Sequence, residues 1–323
     1  MDMIKEKKHF EETFRPVESA LLNFKGVEGF DVYNCSIPFR REGKRYIFGR
    51  VERREEYARS WTRLFEETGK DEWTVVKNSM IYPLEDPYIS RIQNQFVLGG
   101  THVRMSQGKI ATLYAYFYRG RDIHDMYYFT TGPDFMKDIR LVELADGRIG
   151  VFSRPRNKEI MEKYGSQAMV GFGIINSLED LNAEVIQKTP YLEGLFEYGQ
   201  WGACNQAYLL ASGRIGVIGH FGYMEGDEKN PQLVYFSISF VVDPVEAKVR
   251  DLKVIGSRKC FPAGPIKLPN MVDLVFTSGI IIRDDGKTEL YGGLGDCREG
   301  RTVIDYPFEG EGAISGNSLG IDG

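Results

Sequence analysis

One pattern recurs five times along the 323 residues, and no other feature restricts the fold so much. Each copy has a polar residue, an apolar strand, a tight turn, a second apolar strand and a polar or charged end. The copies run NCSIPFRREGKRYIFGR from Asn34 to Arg50, DPYISRIQNQFVLGGTH from Asp86 to His102, and DIRLVELADGRIGVFSR from Asp138 to Arg154. The fourth is NQAYLLASGRIGVIGH from Asn205 to His220, and the fifth is SGIIIRDDGKTELYGGLGD from Ser278 to Asp296. Start and end are 16, 16, 16, 15 and 18 residues apart, so the copies agree in spacing as well as in type. Their centres carry hairpin signals: Glu42-Gly43, Gln93-Asn94, Asp146-Gly147, Ser212-Gly213 and Asp285-Gly286.

Successive copies begin 52, 52, 67 and 73 residues apart. Each interval has room for two more strands, such as ATLYAYFYR from Ala111 and LVYFSISFVV from Leu233. A four-stranded unit repeated five times predicts an all-β fold, a five-bladed β-propeller with a short N-terminal helix. The expected organisation is a helical extension over 1–27, a five-bladed propeller domain over 28–308 and a flexible Gly-rich tail over 309–323. Phe10, Phe14, Val17, Leu21 and Leu22 give the extension its helical spacing, and Asn157 to Tyr164 is a second helical window. A pair of β-sandwiches is the rival fold, and it leaves the common spacing unexplained.

Composition removes several function classes. The 41 basic and 46 acidic residues are interspersed, with net charge −5, so a nucleic-acid partner has no basic face to bind. No apolar run is long enough for a membrane span. Cys35, Cys204, Cys260 and Cys297 are scattered, which favours reduced core thiols and a cytoplasmic protein. His102 and His124 lack ligand-spaced partners, so no metal is expected. The 20 Phe, 18 Tyr and 3 Trp suit strands, and they also suit a site where rings stack on sugars.

In a propeller the innermost strand of each blade lines a central funnel. The polar starts Asn34, Asp86, Asp138, Asn205 and Ser278 are therefore expected to converge with the ends Arg50, His102, Arg154, His220 and Asp296. Singly, such residues also serve as caps for strands and turns. Together they make a mixed-charge pocket.

These strings also resemble a known family. LEDPYISRI, MKDIRLVELADGRIGVFSRP, GVIGHFG, YIFGRVE and the last blade from Met271 to Asp296 resemble the inverting mannoside phosphorylases of glycoside hydrolase family 130. They are more similar still to the β-1,2-mannosyltransferase/phosphorylases of glycosyltransferase family 108. The resemblance covers roughly residues 28 to 305. It implies that Asp86 is the proton donor, acting through a sugar hydroxyl, and that Arg50, Lys137, Arg154 and His220 bind phosphate. It further implies sugar contacts from Asn34, Asp138, Asn205, Asp273 and Asp296. Tyr88 stands where the family motif has Arg, and Arg91 is a candidate substitute. Trp201 with Asn205 is a candidate platform at the funnel mouth.

The chemistry is coherent with such a set. A hydrolase normally needs two carboxylates, because water must be deprotonated to attack. Inorganic phosphate arrives ionised, so one acid and a cationic cradle suffice. Asp86 is then expected to have a raised pKa. The expected partners are a β-mannoside with phosphate, or mannose 1-phosphate or GDP-mannose in the transfer direction. No cofactor beyond phosphate as co-substrate is expected, and a homo-oligomer is compatible. Two alternatives stay open: a β-mannosidase in which Asp138 or Glu143 activates water, and a non-catalytic carbohydrate-binding propeller.

Overall fold

The structure is a computed structural model and describes residues 2–315. Strands dominate it, and they form five sheets arranged as the blades of a propeller. Blade 1 has Asp31–Tyr33 and Phe39–Arg41 innermost, followed by Lys44–Glu52, Trp61–Gly69 and Glu72–Val75. Blade 2 runs through Glu85–Ile92, Gln95–Ser106, Lys109–Gly120 and Tyr127–Thr131. Blade 3 has three strands, Arg140–Glu143, Ile149–Ser153 and Gly171–Ile175, and the short helix Ala183–Gln187 packs on it. Blade 4 is Gln200–Leu209, Ile215–Glu225, Gln232–Asp243 and Lys248–Gly256. Blade 5 is Val275–Ile282, Thr288–Leu294 and Arg298–Ile304. Its fourth strand, Ser19–Leu21, comes from the N-terminus and pairs antiparallel with Arg298–Ile304.

The hairpin signals act as their chemistry requires. Glu42 and Gly43 are both left-handed (φ 52° and 74°), as are Gln93 and Asn94 (49° and 60°), which is what a two-residue primed turn demands. In blades 3, 4 and 5 only the glycine of the pair is left-handed.

No single core sits at the centre. The apolar clusters lie between neighbouring blades, because each sheet has two apolar faces to bury. Phe48, Leu64, Tyr82 and Leu98 join blades 1 and 2. Tyr88, Phe117, Ile139 and Val151 join blades 2 and 3, and Phe152, Phe172, Val217 and Phe236 join blades 3 and 4. Tyr208, Ile218, Val275 and Leu290 join blades 4 and 5, while Ile281 and Tyr291 of blade 5 reach the blade 1 cluster. All four cysteines are buried and unpaired.

The N-terminal extension is shorter than expected. The helix is Met3–Thr13, capped by Asp2, and Pro16 beyond it forces the preceding residue out of helical conformation. Val17 is exposed, Leu21 belongs to the blade 5 strand, and Asn23–Lys25 pairs parallel with Glu72–Val75 of blade 1. Residues 19–25 thus bridge the last blade to the first. The expected tail is also partly ordered. The Ala211 amide donates to Ala313 O at 2.9 Å, and Arg214 pairs with Glu311 at 3.0 Å. The remainder of that expected tail, 316–323, lies outside the described residues. Among the described residues, no helix is long and apolar enough to cross a membrane.

Glu299 stands at the seam between blades 5 and 1. It is fully buried and accepts hydrogen bonds from the Cys35 amide (3.1 Å) and the Ser278 hydroxyl (2.8 Å). Burial pushes its carboxyl up to about 8. A raised acid favours the fold while neutral, so its contribution is complete below about pH 4.5 and is lost as pH rises toward 8. The corresponding loss is roughly 5 kcal/mol at most. Glu299→Gln keeps the shape and cannot ionise. Its melting temperature relative to wild type should rise steadily between about pH 5 and about pH 9 in thermal scans. A pH-independent difference would contradict this.

Candidate active site

The inner strands do not run straight past the funnel. Asn34, Asp86 and Asp138 adopt left-handed backbone (φ 46°, 49° and 56°), a region that Asn and Asp tolerate better than most residues. Strand register slips between Glu85 and Tyr88, between Cys204 and Gln206, and between Thr277 and Gly279. These are bulges at the polar position of blades 2, 4 and 5, and a bulge re-aims the side chain it carries. Asp296, at the end of the fifth copy, is left-handed as well (φ 53°).

Asn34, Arg50, Glu85, Asp86, Lys137, Asp138, Arg154, His220 and Asp296 line one cavity of about 1060 Å³. Its wall is largely apolar, with Val103, Ile110, Leu113 and Phe135 on one side and Leu268, Met271 and Phe276 on another. Tyr57 and Arg156 also line it, and both are exposed.

Two charged clusters make the floor. In the first, the buried Arg50 guanidinium reaches Asp86 (2.9 Å), Glu85 (3.1 Å) and Glu52 (3.2 Å) and lies over the Tyr33 ring. Lys267 also bonds Glu52. The Asn34 amide donates to Asp86 at 2.9 Å and lies 3.5 Å from Asp296, and Lys137 Nζ is 3.7 Å from the second Asp86 oxygen. In the second cluster, Asp138 sits between Arg154 (3.0 Å) and Arg140 (3.5 Å). Both arginines are anchored across the blade boundary, Arg154 to Gly202 O and Arg140 to Asn205 O. His220 Nδ1 meets Asn205 Oδ1 at 2.8 Å.

Glu52, Glu85, Asp86, Asp138 and Asp296 are thus matched by Arg50, Lys267, Lys137, Arg140 and Arg154. Burial alone would raise every one of these carboxyls. For Asp86 that rise is outweighed by Arg50, Lys137 and the Asn34 amide, which hold it at about 2. The expectation of a raised Asp86 pKa is therefore reversed. Burial wins at Glu85 and Asp296, whose carboxyls lie above the usual range. Asp138 lies below it, since Arg154, Arg140 and Lys137 overcome its burial.

Several candidates are placed elsewhere. Asp273 is outside the cavity lining: it bonds Lys7 of the N-terminal helix at 2.6 Å. Ser278 serves Glu299, and His102 bonds Pro83 O and stacks on Tyr116. Trp201 is buried and donates to Tyr235, so Tyr235, not Trp201, faces the cavity. Asn205 reaches the site through His220. Arg91 does not line the cavity either. The guanidinium over the Tyr88 ring, at 4.6 Å, is that of Arg140 from the next blade. Arg50 lines the cavity, but its bonds go to carboxylates and Ser60.

Comparison with known proteins agrees with this architecture. A family model described as "Protein of unknown function (DUF1861)" matches residues 8–310. A mannose phosphorylase from Leishmania mexicana, in complex with phosphate ion, is 51% identical with TM-score 0.92, covering 98% of this chain and 96% of that one. A GDP-Man-dependent mannosyltransferase from the same organism is 44% identical with TM-score 0.90, covering 98% and 99%. The chain belongs to the family that both represent. The resemblance read from its motifs is thereby borne out. A glycosyl hydrolase from Bacteroides ovatus, 14% identical with TM-score 0.55 over 92% and 96% of the two chains, shares the fold alone. No curated protein matches.

Within this mannosyltransferase/phosphorylase family member, sequence reasoning missed Glu52, Lys267, Arg140 and Tyr235 as parts of the site. Glu52 follows Arg50 by two residues on one strand, so period-two geometry could have put both on one face. Lys267 and Tyr235 lie outside the repeated segments and left no such signal. The Arg50 cluster is also a stability element, because removing the cation leaves three buried carboxylates without it. Arg50→Met should lose ~3–5 kcal/mol in urea unfolding, and Asp86→Asn distinctly less. Equal, small losses would show that the carboxylates do not depend on Arg50.

Proposed function

We propose that this protein is an inverting β-1,2-mannoside phosphorylase that releases α-mannose 1-phosphate. The observation that carries the reading is the sharing of one cavity by Asp86 with Lys137, Arg154 and His220. Hydrogen phosphate, held by Lys137 and Arg154 beside the neutral His220, attacks the anomeric carbon of a terminal β-mannose from the face opposite the leaving sugar. The new C1–O bond forms as the glycosidic C1–O bond breaks, which inverts the centre. The leaving oxygen takes a proton from Asp86, directly or through a sugar hydroxyl. Hydrogen phosphate itself brings one proton, and the ionising sugar phosphate product returns one to the site, so the overall reaction is balanced. Arg50 fits the role of a clamp on Asp86 better than that of a phosphate ligand. Asn34, Asp138 and Asp296 are the candidate sugar contacts.

Asp86 needs its proton only when the substrates are bound. The charges of the floor are matched in number, so a bound dianion adds unbalanced negative charge. It also competes for Lys137, whose side chain is a quarter exposed and lies 3.7 Å from Asp86. Both effects raise the Asp86 carboxyl from its low starting point. Phosphate binding near neutral pH should therefore take up protons, read by calorimetry in buffers of different ionisation enthalpy. Proton release on binding would contradict the role given to Asp86.

The hydrolase alternative has lost support. Glu143 accepts the Gln93 amide at 2.6 Å, away from the cavity lining, and Asp138 is gripped by two arginines that make it a poor base. Transfer from GDP-mannose is the second reading, favoured by the 44% identity to the mannosyltransferase and by a cavity of about 1060 Å³ that leaves room for a diphosphate. Incubation with β-1,2-mannobiose, followed by phosphorus NMR, tests the proposal. α-Mannose 1-phosphate should form only with phosphate, and Asp86→Asn should lose ~10²–10⁴-fold in turnover. Mannose release that ignores phosphate would falsify the phosphorylase reading.

A further inference from the structure

His220 is fully buried and yet forms part of the cavity lining. Its ring stacks on Tyr235 at 4.8 Å and packs against Phe276 at 5.1 Å, which fixes its plane. Nδ1 faces an amide oxygen, Asn205 Oδ1, and so carries the hydrogen and donates it. Nε2 is then a bare lone pair, and it has no partner among the described residues. Protonation does not convert it to a donor, because burial and the charges of Arg154, Lys137 and Arg140 outweigh Asp138 and hold the imidazolium pKa at about 3.

Asn205 occupies the bulge of the first blade 4 strand and is buried; Arg140 Nε bonds its backbone carbonyl at 2.7 Å, and its Nδ2 has no partner among the described residues. An anion drawn to Lys137 and Arg154 therefore meets, besides the carboxylates of Asp86 and Asp138 that those cations hold, a neutral acceptor at Nε2. A fully ionised oxyanion offers that acceptor only lone pairs. Hydrogen phosphate keeps one P–OH near neutral pH and can satisfy it. Sulfate has no such hydrogen, and neither has the diphosphate of a nucleotide sugar.

We propose that Asn205 fixes His220 as a hydrogen-bond acceptor, and that the pair selects a hydrogen-bearing orthophosphate-type anion over sulfate and over nucleotide diphosphates. The inference rests on the phosphorylase reading and deepens it. Asn205 acts as a positioning residue, and His220 is the group that touches the anion. With its P–OH on Nε2, the phosphate keeps its ionised oxygens for the cations and for the anomeric carbon.

Monofluorophosphate isolates the effect, since it is a dianion near the size of phosphate with P–F in place of P–OH. In calorimetric titration of the full chain, phosphate and arsenate should bind at least about tenfold more tightly than monofluorophosphate and sulfate. That is about 1.4 kcal/mol, within the cost of leaving one buried acceptor unpaired. Nitrogen NMR of the histidine-labelled protein should show an unprotonated Nε2 that responds to phosphate and not to monofluorophosphate. Asn205→Leu, checked for folding by its melting curve, should bring the anions to within about threefold of one another. Equal affinities in wild type, or a protonated Nε2, would overturn the proposal even if the variant does not fold. Selective phosphate binding without phosphate-dependent turnover would support this inference and sink the phosphorylase reading. Phosphate-dependent turnover with equal affinity for monofluorophosphate would do the reverse, and failure to bind any of the four anions would sink both.

Discussion

A ring of blades has no centre on which to collapse, so every interface depends on the ring being closed. Closure here is made by residues 19–25. Ser19–Leu21 completes blade 5 by antiparallel pairing, and Asn23–Lys25 then joins blade 1. Beside that seam the buried Arg301 holds Asp71, Glu289 and Glu18, and Glu299 ties blade 5 to the Cys35 amide. Only Leu22 separates these two strands, so the blades they join must be neighbours.

Closure places five inner strands around one axis, and kinks in those strands turn polar side chains into the funnel. Left-handed backbone at a non-glycine residue costs on the order of 1–2 kcal/mol; among the described residues it occurs at thirteen positions, of which Asn34, Ala58, Asp86, Phe135, Asp138 and Asp296 line the cavity and others, such as Glu42, Gln93 and Asn94, serve hairpin turns. The matched charges of the floor have a related consequence. Four of the five carboxylates are ion-paired and Asp296 has the Asn34 amide, so a binding dianion upsets a balance that it finds ready-made.

The sequence carried the blade count and most of the floor. The agreement in spacing from Asn34 to Arg50, Asp86 to His102 and Asp138 to Arg154 reflects a hairpin of fixed length, and such lengths can be read without coordinates. The hairpin pairs, the strands Lys109–Gly120 and Gln232–Asp243 and the helix Lys158–Tyr164 were legible for the same reason, since each follows from local chemistry. The boundary of the N-terminal helix was not. Val17, Leu21 and Leu22 keep helical spacing, but pairing to a strand some 280 residues away overrides it.

What the sequence determined by itself is the repeat, and with it the polar residues that a propeller must bring to its axis. Which of them meet was decided only by the tertiary structure. Asp273 pairs with Lys7 of a distant helix, Arg140 covers Tyr88 across a blade boundary, and Asn205 reaches the cavity only through His220. The ionisation of Asp86 was decided there too. A local reading sees a buried acid beside Glu85, while the fold adds Arg50 and Lys137 from neighbouring blades. Electrostatic energies depend on distances through space, and the chain sequence records only distances along itself.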